Sequence, residues 1–184
     1  DCGAVGRRLA CFFSPPAYTV PTMADLRPLV ERLERARASL LAVTEQIPSG
    51  QWNQRPAPDC WSAAEVIAHL SMVESAVLKG MQKLLATEPR PVPFWKRVHI
   101  PPIANLVRLV KVKTPIPLDP ALLAEKEQML ERFAALRGQM LALLEANRDR
   151  DLRRWRFPHP FFGSLNGVGW FKMIAYHEAR HTKQ

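Results

Sequence analysis

The sequence predicts an all-α protein, a four-helix bundle with a long proline-rich crossover between helices 2 and 3. Three observations carry that expectation. Four segments place apolar residues at spacings of three and four, the pattern of a helix with one face on a core. The interval 88–118 holds Pro89, Pro91, Pro93, Pro101, Pro102, Pro115 and Pro117, so no long helix can run through it. A chain of 184 residues with 47% hydrophobic content is long enough to enclose one core and short for two. Its 23% charged residues fit an ordinary globular domain. No apolar run reaches the roughly 20 residues of a membrane-spanning helix, because "IPPIANLVRLV" is broken by Arg108.

Residues 1–22 show no helical period and stop just before Met23, so they read as an N-terminal extension outside the natural fold. The domain then spans 23–184, with Met23 as its initiator. The apolar "LACFF" behind two arginines is shorter than the roughly 7–15 residues of an export signal. Helix 1 follows from Leu26, Leu29, Val30, Leu33, Ala36, Leu40 and Leu41 and ends near Pro48. After the Gly- and Pro-bearing "SGQWNQRPAPDCW", Ser62 and Glu65 stand at capping-box spacing, each side chain able to satisfy an orphan backbone donor. Helix 2 starts there, with Val66, Leu70, Val73, Val77, Met81 and Leu84 on its stripe and His69 at the stripe's edge.

Within the crossover a short helix is expected at about 102–112. Asp119 and Pro120 make an N-cap and first-turn pair for helix 3, which carries Leu122, Leu123, Met129, Leu130, Phe133, Leu136, Met140 and Leu143 to about Asn147. "RWRFPHPFFGSLNG" reads as an extended aromatic loop. Helix 4 begins at Ser164 or Leu165, with Val168, Phe171 and Ile174 turned inward.

The formal charge of +9 invites a nucleic-acid reading. Residues 90–113 hold Arg90, Lys96, Arg97, Arg108, Lys111 and Lys113 with no acid, yet no helix-turn-helix, zinc-finger or RNP-type motif accompanies them. No nucleic-acid partner is therefore expected. A solvated basic face or an anion-binding mouth accounts for the charge. Cys2, Cys11 and Cys60 are odd in number and form no C-x-x-C pair, which indicates a reducing, cytoplasmic setting without a disulfide framework. Cys60 reads as a small apolar residue at the start of helix 2.

The chemistry-bearing pattern is at the end of the chain. His177 and His181, four apart, face the same way on helix 4. His99 and His159 lie in proline-rich loops, leaving His69 as the one further histidine on a predicted helix. If helices 2 and 4 are neighbours, three neutral imidazoles can converge on a divalent metal such as zinc, nickel, iron(II) or manganese. A hydrogen-bonded core histidine is the competing account of His69.

"CWSAAEVIAHLSMVE" at 60–74, followed about a hundred residues later by "WFKMIAYHEARHTKQ", resembles the DinB-like superfamily in its Trp-Ser helix start, the following histidine and the terminal His-x-x-x-His. The likeness extends from about Asp25 to Gln184. It implies a four-helix bundle holding one divalent metal ion on His69, His177 and His181, and a small-molecule substrate. Relatives include mycothiol-dependent maleylpyruvate isomerases, bacillithiol transferases and proteins labelled hydrolases. S-transfer with a low-molecular-weight thiol, or hydrolysis, is thus what the resemblance implies for this chain.

Glu65, four residues before His69, is a candidate to orient that imidazole beyond its capping role. Glu74 and Glu178 lie roughly 140 and 100 degrees around their helices from the nearest ligands, too far to read as a general base. Tyr176 reads as packing, and Arg180 as solvated or facing an anion. Further catalytic and cofactor-binding residues are not indicated. Only three residues follow His181, so that helix end is expected to fray and hold metal weakly unless a second subunit covers it. Apolar crossover residues Ile100, Ile103 and Leu106 suggest a homodimer. The competing expectation is a noncatalytic bundle that binds a ligand or partner through Arg97, Arg108, Lys111 and Lys113.

Overall fold

The computed structural model describes residues 25–106 and 117–184. The extension 1–22, Met23, and the basic residues Arg108, Lys111 and Lys113 lie outside them. Four helices dominate: α1 (Arg27–Glu45), α2 (Ala63–Leu85), α3 (Lys126–Ala146) and α4 (Gly167–Thr182). α1 packs on α4, α2 on α3, and α2 on α4, so the bundle is closed by the neighbour relation the histidines require. None of these helices is long and apolar enough to cross a membrane.

Each helix turns the stripe its spacing predicts toward the core, with Val66, Val73, Leu84, Leu136, Leu143 and Val168 only half-buried at its edge. Leu29, Leu33, Ala36 and Leu40 face inward on α1, and Leu70, Val77, Met81 and Leu85 on α2. Leu29, Leu33, Ala36, Val77, Met81 and Leu85 join Met140, Leu144, Phe171 and Ile174 around one centre, while Leu40 and Leu70 join Trp52, Ile67 and Phe133 in a second apolar cluster nearer the start of α2. A fully buried Leu33 or Phe171 contributes roughly 1.5–3 kcal/mol by leaving water.

Three boundaries differ from the sequence expectation. Asp119 does cap a turn, its Oδ1 accepting from the Ala121 amide at 2.9 Å, but that turn is a single 3₁₀ turn, Pro120–Leu122. Leu123 is extended and α3 starts only at Lys126, an arrangement in which Leu122 and Ala124 both pack on the Trp52 cluster. The expected helix at 102–112 is a 3₁₀ turn over Pro102–Leu106, and its remainder falls outside the described residues.

The third difference is the aromatic loop, which is an antiparallel hairpin of β1 (Arg156–His159) and β2 (Gly163–Asn166), a small addition to an otherwise helical fold. Gly163 turns it with φ of 77°, a conformation that favours glycine. α4 consequently begins at Gly167, with Asn166 Oδ1 accepting from the Gly169 amide at 2.8 Å. Gly167 passes so close to α2 and the Leu152 backbone that a Cβ would sit 2.8 Å from the Leu152 carbonyl oxygen. Cys60 is exposed rather than packed as a small apolar residue.

Candidate metal centre

The site is built where α2 begins and α4 ends. The Ser62 hydroxyl accepts from the Glu65 amide at 3.2 Å and Glu65 Oε2 accepts from the Ser62 amide at 2.8 Å, so the capping box is complete. That cap fixes Trp61 against the first turns of α2. Its ring lies 4.9 Å from the His69 ring and is stacked, at 6.2 Å and 8° between planes, on His181.

His69, His177 and His181 converge through the same atom. Nε2 of His177 is 3.2 Å from Nε2 of His69 and 3.2 Å from Nε2 of His181, and one ligand nitrogen from each ring falls within a 4.8 Å set. Zinc–nitrogen bonds of about 2.0–2.1 Å at tetrahedral angles place ligand nitrogens roughly 3.3 Å apart. Three imidazoles at this spacing therefore fit one divalent ion.

Protonation points the same way. Burial pushes the His69 pKa down to about 4. Burial, reinforced by His181, His69 and Arg180, also holds His177 well below the ordinary imidazole range. Both rings are thus neutral at neutral pH, the form that ligates metal. Nδ1 of His181 lies 2.9 Å from Gln184 Oε1, which can only accept; that donation leaves the lone pair on Nε2. Gln184, three residues beyond a ligand, was not singled out from sequence.

Glu65 does not orient His69. Its oxygens accept from the Arg55 guanidinium and the Ser62 amide, and no hydrogen bond joins it to the imidazole. At i,i−4 it is on the right face, but the cap turns its carboxylate back toward the helix start. His159 is likewise no ligand: its Nδ1 accepts from the Phe161 and Phe162 amides at 3.0 and 3.2 Å, and burial lowers its pKa to about 4. His99 Nδ1 lies 2.9 Å from the Arg97 carbonyl on an exposed loop. Arg32 lies over the Tyr176 ring at 5.1 Å, in keeping with packing, and Arg180 donates to the Asn105 carbonyl at 3.1 Å.

Beneath the histidines is a cluster that sequence reasoning missed. Arg37, Glu74, Arg137 and Glu178, one from each helix, are 1–6% exposed. Arg37 Nε donates to Glu178 at 2.5 Å and its Nη2 to Glu74 at 2.7 Å; Arg137 Nε donates to Glu74 at 2.8 Å and its Nη2 to Glu178 at 2.7 Å. Arg37 also lies 3.4 Å from the centre of the Phe133 ring and donates to the Phe133 carbonyl. The signal was present: Arg37 falls between Leu33 and Leu40, and Arg137 between Phe133 and Met140, at core spacing.

Comparison with known proteins agrees with the four-helix fold. The DinB superfamily profile matches residues 32–184, which takes in all three histidines. The chain is 30% identical over 133 residues to the uncharacterized protein YuaE of Bacillus subtilis (strain 168), covering 72% of this chain and 79% of that one. In fold it is similar to the crystal structure of TT2238, a four-helix bundle protein, with a TM-score of 0.56 and 24% identity over 85% of this chain and 94% of the other.

Proposed function

The chain belongs to the DinB superfamily, and from that premise we propose that it is a metal-dependent enzyme acting on a small molecule, by S-transfer with a low-molecular-weight thiol or by hydrolysis. The observation that supports this reading is the convergence of three Nε2 atoms, two of them on rings held neutral by burial. His69, His177 and His181 would hold the ion. A bound divalent ion supplies Lewis acidity, which makes a coordinated thiol or water a stronger acid near neutral pH.

The chain's own part is binding and orientation. Trp61 covers His69 and His181 with an apolar face, limiting water on that side. Gln184 fixes the tautomer of His181. Glu74 and Glu178 are committed to buried guanidiniums, and Glu65 to Arg55, so none of the three is placed as a proton acceptor. Three protein ligands leave positions on a divalent ion for the reacting molecule.

The test is elemental analysis of untagged protein beside His69→Ala, His177→Ala and His181→Ala, before and after equilibration with zinc, nickel, manganese and iron(II). Near-stoichiometric metal in the parent and at least a tenfold loss in each variant is expected, since deleting a ligand leaves two. Parent protein that binds none of these ions removes the basis of the proposal. Bound cobalt whose visible spectrum shifts on adding a thiol points to S-transfer, and one that ignores thiols points to hydrolysis.

A further inference from the structure

At the other end of the bundle the proline-rich stretch leaving α2 faces the segment that leads into β1. Between them is a cavity of about 340 Å³ lined by Arg90, Arg97, Arg153, Arg154 and Arg156, with Asp151 as the one acid among its lining residues. Asp151 is already engaged, its Oδ1 accepting from Arg153 Nε at 2.7 Å. Among the described residues no carboxylate pairs with Arg90, Arg97, Arg154 or Arg156. The cavity lies some distance from the histidines: His69 and Leu85 are separated by about 24 Å of α2, at about 1.5 Å per residue.

Arg90, Arg97, Arg153 and Arg154 are exposed, while Arg156 anchors the cavity to the fold. Arg156 Nη2 donates to the Arg97 carbonyl at 3.0 Å and to the Ser164 carbonyl at 2.5 Å, which ties the crossover to the hairpin. Its Nε is buried without a hydrogen-bond partner. Burial, with Arg97 nearby, also lowers the Arg156 pKa, the signature of a cation lacking a counter-charge. Arg97 is held by its Nε donating to the Val92 carbonyl at 2.8 Å, within a stretch stiffened by Pro91 and Pro93.

We propose that this arginine cavity binds a multiply charged oxyanion, a phosphate-bearing small molecule, at a site separate from the histidines. Guanidinium groups match phosphate oxygens through paired N–H donors. A single carboxylate would leave most of the positive charge uncompensated. The volume lies at the lower end of the roughly 300–1,000 Å³ of small-molecule sites.

Calorimetric titration of the full chain with pyrophosphate, at ionic strength held constant with sodium chloride, tests the assignment. The pocket variant is Arg90→Gln with Arg154→Gln, and the control is Arg27→Gln with Arg132→Gln, which removes equal charge from exposed positions elsewhere. Circular dichroism melts of both variants establish that they fold, and Arg90→Gln alone serves if the double variant does not. The expected result is saturable binding in parent and control, weakened by about tenfold or more in the pocket variant, as loss of one charged hydrogen bond implies. Equal weakening in pocket and control variants, or no saturable binding, overturns the proposal in favour of diffuse charge. Tighter binding of a short DNA duplex than of pyrophosphate, lost in the pocket variant, overturns the small-molecule assignment.

Discussion

His177 and Glu178 are successive residues of α4, and they belong to polar clusters of opposite character, half-buried around His177 and fully buried around Glu178. Around Glu178 two carboxylates meet two guanidiniums, so every charge faces its complement and the set is neutral. Around His177 three identical groups meet one another, and burial holds the pKa values of His69 and His177 below the ordinary imidazole range. The carboxylate–guanidinium cluster is complete as the chain folds. The imidazole cluster brings together nitrogens that could hold a cation. Burial of polar atoms therefore has two meanings in this molecule, structural where donors and acceptors balance and receptive where they do not.

Breaking the balanced cluster should have the largest effect. Glu178→Ala leaves two guanidiniums facing one carboxylate and is expected to cost about 3–5 kcal/mol in chemical denaturation of metal-free protein. A loss below about 1 kcal/mol would show that the four charges are dispensable. Replacing Arg37, Glu74, Arg137 and Glu178 together by Met, Leu, Met and Leu should recover much of the loss, because no uncompensated charge remains.

Acid distinguishes the clusters next. The pKa of His69 is near 4 in the fold and near 6.5 when unfolded. Between those values the unfolded chain binds more protons, so this contribution is intact above pH 6.5 and is lost as pH falls toward 4. For His69 it amounts to about 3 kcal/mol. Metal-free His69→Leu should show a correspondingly flatter dependence of stability on pH in that window. An unchanged slope would mean that the imidazole is not what resists acid.

The smallest effect tests how the imidazole cluster is framed. Ser62→Ala removes the cap acceptor and should cost about 1 kcal/mol. Because the same turn sets Trp61 against His69 and His181, metal affinity should fall as well, which a cap at an unrelated helix would not produce. Parallel melts and metal titrations of Ser62→Ala and Asp119→Ala, whose carboxylate caps a turn that carries none of the three histidines, separate the two roles.

The two clusters also differ in how far the sequence disclosed them. His177 and His181 announce a shared face by their spacing, and Ser62 with Glu65 announces the start of the helix that carries His69. Helix stripes and the proline-rich crossover were legible for the same reason: local periodicity and backbone restriction are properties of neighbouring residues. The hairpin at 156–166 was not, because Pro158, Pro160 and Gly163 mark a turn without saying which strand edges will pair. Arg37 and Glu178 are 141 residues apart, so nothing local distinguishes that arginine from a solvated one except its place among Leu33, Ala36 and Leu40. Glu65 shows the converse, a residue on the expected face whose oxygens were claimed by nearer donors.

One property of the balanced cluster reaches beyond stability. Because each of its members comes from a different helix, the ion pairs act as a register lock: sliding any helix by one turn, about 5.4 Å, would separate its member from both partners at once. Apolar stripes tolerate such a slip far better, since one leucine can replace another. Glu178 directly follows His177, and Glu74 is five residues after His69. The heights of α2 and α4 relative to each other, and with them the 3.2 Å approach of two imidazoles carried by distant parts of the chain, are thereby set by charges that never touch the site.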